Sequence, residues 1–265
     1  TIGRLETLLE VQPEVVVCDL HPKYNSTVVA EELGLPVLRV QHHYAHILSC
    51  MAENDCEEKV IGVSFDGTGY GTDGTIWGGE LLVADCQGFT RLGSIEPFVQ
   101  VGGDISAKEG WRIAVSLIWQ NTGNLEKTLD TVRKLGLCTD QEAKVLVTMA
   151  QRKINAVTST SAGRLFDGVS AILGIRRAST FEGEASTALE FAAEAWRKQR
   201  EMQKKNPEEN LKIRMSEKED IPESTGISEA SEDERKFILN TGEIVAYLVR
   251  ARLAGEDPGK LAYGF

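Results

Sequence analysis

Between Asp66 and Gly79 the chain reads DGTGYGTDGTIWGG, six glycines in fourteen residues, with the apolar run Val60–Phe65 before it and Glu80-Leu81-Leu82-Val83-Ala84 after it. Two apolar runs joined by so many glycines predict a β-ribbon with an open, backbone-rich turn. At Gly67, Gly69, Gly71 and Gly74 no side chain stands in the way, so amide N–H groups can close on phosphate oxygens, with Thr68, Thr72 and Thr75 as hydroxyl donors. The string is not a Walker loop, for no Gly-Lys-Ser/Thr follows, and it does not open a helix as the dinucleotide Gly-x-Gly-x-x-Gly does. A plain glycine-rich turn, capped by Asp73, is the alternative reading.

Upstream, Val15–Cys18 has the continuous apolar character of a buried strand and ends at Asp19-Leu20-His21-Pro22. A short helix capped by Ser26 or Thr27 runs through Glu32 to Gly34, a strand covers Pro36–Val40, and a helix covers His42–Asn54 before the strand at Val60. This β-α-β-α-β order predicts a largely parallel, covered sheet. From about Lys108 the spacing becomes helical, over Trp111–Gln120, Leu125–Leu135, Gln141–Val157, Leu165–Leu173 and Phe237–Leu253, with Asp257-Pro258 opening a last helix. The expected organisation is an α/β lobe over residues 1–104 and a mainly helical lobe over 105–265. Residues 197–235, dense in Lys, Glu, Asp and Ser, read as a charged helix extension followed by a mobile, solvated insertion.

Charge narrows the partners. Lys and Arg total 29 against 40 Asp and Glu in 265 residues, a formal charge of −11. That disfavours nucleic acid and anionic membrane surfaces, which need neutralising cations. A small anion held by a few backbone amides stays compatible. No apolar run reaches the roughly 18 residues of a membrane span, and TIGRLETLLEVQPE lacks a signal-peptide pattern. The five cysteines are scattered without a Cys-x-x-Cys pair, so they read as buried apolar residues of a cytoplasmic protein.

Three of the four histidines fall within QHHYAH, Gln41–His46. On a helix Tyr44, Ile47, Leu48 and Met51 share one face, His42 and His46 lie together on the opposite face, and His43 sits between. Imidazoles at i and i+4 can hold one metal ion, or face water and cap carbonyls. Asp66, at the end of the strand after the histidine helix, is the natural third ligand. Nitrogen and carboxylate ligands suit iron or zinc equally. In TSAGRLFDGVSAILG (Thr160–Gly174), Gly163 allows close approach at a helix start, and Asp167 can accept hydrogen bonds from ribose or stand as an ordinary helix residue. Glu182-Gly183-Glu184 offers another small-residue turn, and Arg112 either meets an anion or pairs with Glu109.

The segments CDLHPKYNST, VQHHYAHILSCMAE, FDGTGYGTDGTIWGGELL, GGDISAKEGWRIA and SAGRLFDGVSAILG, in this order, resemble the C-terminal transferase domain of the HypF hydrogenase-maturation carbamoyltransferases, from about Glu14 to Phe265. The resemblance implies an α/β fold of the actin and sugar-kinase type, two lobes around a nucleotide cleft, related to the tRNA threonylcarbamoyladenosine transferases. It implies transfer of a carbamoyl group from carbamoyl adenylate, made from carbamoyl phosphate and ATP by companion domains, to the C-terminal cysteine of a HypE acceptor. By the same matching His42, His46 and Asp66 would be ligands of a divalent metal, Gly67 to Gly69 would approach phosphate, and Gly163, Asp167 and Gly183 would lie along the nucleoside. No side chain is an obvious general base, so no catalytic residue is assigned.

The resemblance also implies parts that are not in the sequence: a β-hairpin with its own phosphate loop before Thr1, and, after Phe265, a Ser-Gly-Gly loop and an aspartate as fourth metal ligand. The chain is therefore expected to be a section of a longer enzyme, to bind metal weakly and to transfer no carbamoyl group by itself. Two alternatives keep part of this reading: a relative whose acceptor is a tRNA adenine, and a non-catalytic module that binds nucleotide and docks HypE.

Overall fold

The computed structural model describes residues 1–204, 227–229 and 237–265. It contains α1 (Ile2–Leu9), β1 (Val16–Asp19), α2 (Asn25–Glu32), β2 (Val37–Val40), α3 (His42–Glu53), β3 (Val60–Tyr70), β4 (Ile76–Asp85), β5 (Gly88–Ile95) and β6 (Phe98–Val101). After a 3-10 turn at Gly103–Ala107 come α4 (Gly110–Thr122), α5 (Leu125–Leu135), α6 (Asp140–Arg152), β7 (Ala156–Ser159), α7 (Ala162–Ile172), α8 (Glu184–Lys204), β8 (Ile227–Glu229), β9 (Phe237–Leu239), α9 (Thr241–Leu253) and α10 (Pro258–Gly264).

The predicted parallel sheet is only half present. β1 and β2 pair in parallel, Val16 against Val37 through Asp19 against Val40. β3 does not join them: it runs antiparallel to β4, in a sheet ordered β6-β7-β4-β5-β9-β8 with β3 beside β4. The glycine string supplies the reason. A turn at Gly71–Thr75 sends the chain straight back, and Asp73 closes it by accepting hydrogen bonds from the Thr75 amide (3.0 Å) and hydroxyl (2.6 Å). Two strands joined by so short a turn can pair only antiparallel.

Two predicted helices were too long. α6 ends at Arg152, with Lys153 and Asn155 both at positive φ, and the next residues form β7, which pairs with β6. Phe237–Leu239 is likewise strand, parallel to β5, before α9 begins. Other ends follow local chemistry. Thr139 and Glu142 form a capping box on α6, and Asp257 accepts from the Lys260 amide with Pro258 opening α10. Of the charged stretch at 197–235, the helical extension is seen through Lys204 and three residues pair as β8; the remainder lies outside the described residues.

The larger apolar cluster joins α4, α7 and α9 to β5 and β6, with Ile113, Val115, Val169, Ile172 and Val245 fully or nearly fully buried. A smaller one, Ile47, Met51, Trp77, Leu82 and Ala84, holds α3 against β4. α3 lies this close because Gly62 of β3 has no side chain: a Cβ there would stand 2.2 Å from Ile47 Cδ1. The cysteines depart from expectation. Cys18, Cys56 and Cys138 are half-buried, but Cys50 on α3 and Cys86 at the tip of the β4–β5 turn are exposed. No helix among the described residues is long and apolar enough to cross a membrane.

Candidate metal centre and phosphate bulge

The site forms where α3 crosses β3. Gln41 caps α3, its Oε1 accepting from the Tyr44 amide at 2.9 Å, and its Nε2 donates to the Tyr70 carbonyl at the end of β3 (3.1 Å). The same Nε2 lies 3.2 Å from His43 Nδ1, which must therefore accept, leaving the ring proton on Nε2. His43 is fully buried, and its pKa is pushed down to about 4 by burial and then by the charge of His42. It is thus a neutral packing residue, not a ligand. It rests on Gly69, where a Cβ would stand 2.4 Å from its Cε1. Gly62 and Gly69 are the two places where β3 admits α3, and Asp66 lies between them.

β3 does not end at Asp66 as predicted. Phe65 pairs with Gly79 and Gly69 with Trp77, so Asp66, Gly67 and Thr68 stand opposite Gly78 alone, in a bulge. Bulges re-aim side chains, and this one turns Asp66 to the histidines. Asp66 Oδ2 is 2.8 Å from His42 Nε2 and 3.9 Å from His46 Nε2, and the two imidazole nitrogens are 3.2 Å apart. Ligands bonded to zinc at about 2.0–2.1 Å are separated by about 3.3 Å at a tetrahedral angle, about 3 Å at a right angle and at most about 4.2 Å across the ion; His42 lies near the first two values from both partners and the 3.9 Å from Asp66 to His46 stays inside the last, so one atom from each residue can reach a single cation. The donor set of two imidazoles and a carboxylate matches, and all three side chains are partly exposed, which leaves a way in.

The surrounding charges prepare His42 for this. The Asp66 hydrogen bond is the main cause that raises its pKa to about 8, with Asp19 adding to it against the opposing effect of burial; His42 in turn is the main cause that lowers Asp66 to about 2. Asp19, in the DLHP segment, was read only as a strand end. Its Oδ1 accepts from the His21 amide at 2.8 Å, and its Oδ2 lies 3.0 Å from His42 Nδ1. A carboxylate there fixes the tautomer that leaves Nε2 free for a metal. His21 itself stacks on Tyr24 at 4.0 Å and meets Tyr70 edge-on, an aromatic wall beside the carboxylates.

α7 closes the other side of the bulge. Ser161 caps it, accepting from the Arg164 amide at 3.0 Å while its hydroxyl donates to the Gly67 carbonyl at 2.7 Å. Gly163 is where the helix touches the bulge: a Cβ there would stand 2.9 Å from Gly67 Cα. Hence Asp66, Gly67, Gly163 and the first turn of α7 are brought together. Thr68 is exposed, its hydroxyl donating to the Gly67 carbonyl. Asp167 is buried, its carboxylate beside Arg164, with burial raising its pKa to about 6. Gly183, at φ +78, accepts from the Thr187 amide at the start of α8.

A second group missed in the sequence braces the ribbon. Glu80 is fully buried, accepting from the Gly78 and Gly79 amides, from the Thr160 hydroxyl and from Arg91 Nε at 2.7 Å. Arg91 also reaches Asp73 and stacks over Trp77 at 4.2 Å. Arg112 pairs with Glu109 at 2.5 Å, the second of its two readings.

Residues 62–265 match the family described as carbamoyltransferase, Kae1-like domain, second subdomain, and residues 1–53 match the HypF Kae1-like domain. Carbamoyltransferase HypF of Synechocystis is 41% identical over 202 residues, covering 71% of this chain and 26% of that protein. A carbamoyltransferase HypF homolog of Cupriavidus necator is 40% identical over 187 residues, 69% of this chain and 46% of that protein. The chain thus spans about a quarter of one relative and under half of the other. A crystal structure of full-length HypF in its phosphate- and nucleotide-bound form superposes with a TM-score of 0.79 at 31% identity, over 100% of this chain and 31% of that one. The fold is therefore the actin and sugar-kinase-like ATP-binding fold expected.

Proposed function

The chain belongs to the HypF carbamoyltransferase family, as part of its C-terminal Kae1-like domain, and on that premise we propose that it serves carbamoyl transfer from carbamoyl adenylate to the C-terminal cysteine of a HypE-type acceptor in nickel-iron hydrogenase maturation. The observation that carries the reading is the junction of a three-ligand cation site, His42, His46 and Asp66, with a backbone bulge and a helix N-terminus suited to phosphate. Sulfur attacks the carbamoyl carbon, the bond to the phosphate oxygen breaks, AMP departs and the thiol proton passes to solvent.

A divalent ion, iron or zinc, bound at His42, His46 and Asp66 supplies Lewis-acid polarisation. The chain's own groups do the rest. Asp19 keeps the His42 Nδ1 proton engaged, which leaves Nε2 as the atom that would hold the ion. The first turn of α7 presents backbone donors beside the bulge, where charge grows on the departing phosphate, while the Gly67 amide holds Asp66 Oδ1 at 2.6 Å. His21, Tyr24 and Tyr70 line the approach with ring surface. The attacking thiolate belongs to the acceptor, so an activated cysteine is not needed here.

The test replaces the corresponding segment of the Synechocystis enzyme with this chain and follows carbamoylation of the HypE C-terminal peptide by mass. Transfer that is lost in His42→Ala and Asp66→Ala supports the proposal. Transfer that survives both, or a chimera that binds metal and nucleotide but carbamoylates nothing, overturns it; the latter result would favour a docking module.

A further inference from the structure

Arg164, the third residue of α7, is nine-tenths buried, yet its guanidinium makes no hydrogen bond among the described residues. Its partner is Asp167, with Oδ2 2.9 Å from Nε, but neither atom is aligned for a hydrogen bond. A guanidinium has five donors and stays charged at any pH a protein survives. Arg164 Nε is buried without a hydrogen bond, and native proteins rarely leave such a donor so. Asp167 answers it incompletely, for burial raises the acid's pKa in spite of the neighbouring charge.

The unmatched donors face a particular place. Arg164 Nη2 lies 3.7 Å from the position a Cβ on Gly67 would take, and apart from the adjoining Asp66 and Thr68 nothing else among the described residues lies within 4 Å of that position. The amides of Ala162 and Gly163 are in the first turn of an 11-residue helix, where intrahelical acceptors do not exist. Guanidinium, helix N-terminus and the open side of the bulge therefore converge on one small space. A tetrahedral oxyanion suits it, since a planar fork matches two phosphate oxygens at once.

We propose that Arg164 is the phosphate-binding cation of this site: its guanidinium exchanges Asp167 for a phosphate group seated on the side of the Gly67 bulge that Arg164 faces, beside the first turn of α7. The exchange leaves the Asp167 carboxylate free to accept from hydroxyls of the same ligand. This rests on the reading that a nucleotide's phosphate lies at the bulge.

Titration of the chain with AMP, inorganic phosphate and adenosine separates the two. Arg164→Gln is expected to weaken AMP and phosphate by about 10- to 100-fold, the worth of a charge-assisted hydrogen-bonded pair, with adenosine bound no more weakly and metal content unchanged. Arg164→Lys keeps a charge without the fork and should lie between; it carries the test if the glutamine variant fails to fold. Asp167→Asn removes the competing partner, so phosphate should bind at least as tightly and adenosine more weakly. Wild-type phosphate affinity in a folded Arg164→Gln or Arg164→Lys chain, or phosphate lost in Asp167→Asn, overturns the inference while the nucleotide reading stands. A wild-type chain that binds neither AMP nor phosphate overturns both.

Discussion

Gly69→Ala tests whether packing of α3 on β3 creates the metal centre. The added Cβ would stand 2.4 Å from His43 Cε1, 2.9 Å from His43 Nδ1 and 3.0 Å from His42 Cβ. Carbon atoms in contact sit about 3.5–4.0 Å apart, so relief requires about 1 Å or more of separation. His43 is fully buried and tied to Gln41, so the shift falls on the two elements. Asp66 Oδ2 is already 3.9 Å from His46 Nε2. Two ligands on opposite sides of a zinc-sized ion span at most about 4.2 Å, so a further 1 Å takes Asp66 out of reach of an ion shared with His46. Overpacking should cost about 1–3 kcal/mol of stability. Metal affinity should fall by more than the roughly 10- to 100-fold that loss of a supporting group causes. Cobalt titration and thermal melting of the metal-free chain measure both effects. Gly88→Ala, where a Cβ meets nothing within 4 Å, serves as control, and His43→Ala in the Gly69→Ala chain should restore part of the affinity. Wild-type metal affinity in Gly69→Ala would refute this reasoning, and if AMP binding fell instead, Gly69 would be a phosphate-approach residue.

Metal affinity should rise with pH up to about 8, because the ion must displace the proton that Asp66 and Asp19 hold on His42; a pH-independent isotherm between pH 6 and 8 would contradict that. In the metal-free chain the same raised pKa makes a stability contribution fully present below about pH 6.5 and lost as pH rises through about 8, read by melting in chelator. Asp19→Asn should lower metal affinity about 10- to 100-fold at pH 8, with His42 and His46 intact; unchanged affinity would remove Asp19 from the site. Glu80→Ala takes from Arg91 the buried one of its two carboxylates and leaves the Gly78 and Gly79 amides without that acceptor, a loss of about 3–5 kcal/mol measurable by denaturant unfolding, whereas a loss under about 1 kcal/mol would show the network is dispensable.

Residue chemistry with a short range is legible in the sequence. QHHYAH placed His42 and His46 on one helix face and Ile47 and Met51 on the buried one because a single helix fixes both. Asp73 and Asp257 announced a turn and a cap for the same reason. What crossed between elements was not legible. Whether β3 joins β1 and β2 depends on a five-residue turn, and apolar alternation looks the same for either partner. β7 and β9 are short pieces whose hydrogen bonds go to β6 and β5, so local periodicity absorbed them into neighbouring helices. Asp66 was found by its type and order, but its aim comes from a bulge, and bulges have no signature beyond the glycine itself. Asp19 was hidden because an aspartate before Leu-His-Pro is an ordinary strand end until His42 is placed 3.0 Å away.

The central claim is that His42, His46 and Asp66 together hold one cation beside the bulge. Its most direct measurement is metal content after exhaustive dialysis of the chain loaded with zinc or iron, beside His42→Ala, His46→Ala and Asp66→Ala chains of matched helical content. The account predicts a single ion per wild-type chain at saturation and a right-shifted or absent isotherm in each variant. Equal metal content in all four chains would contradict it.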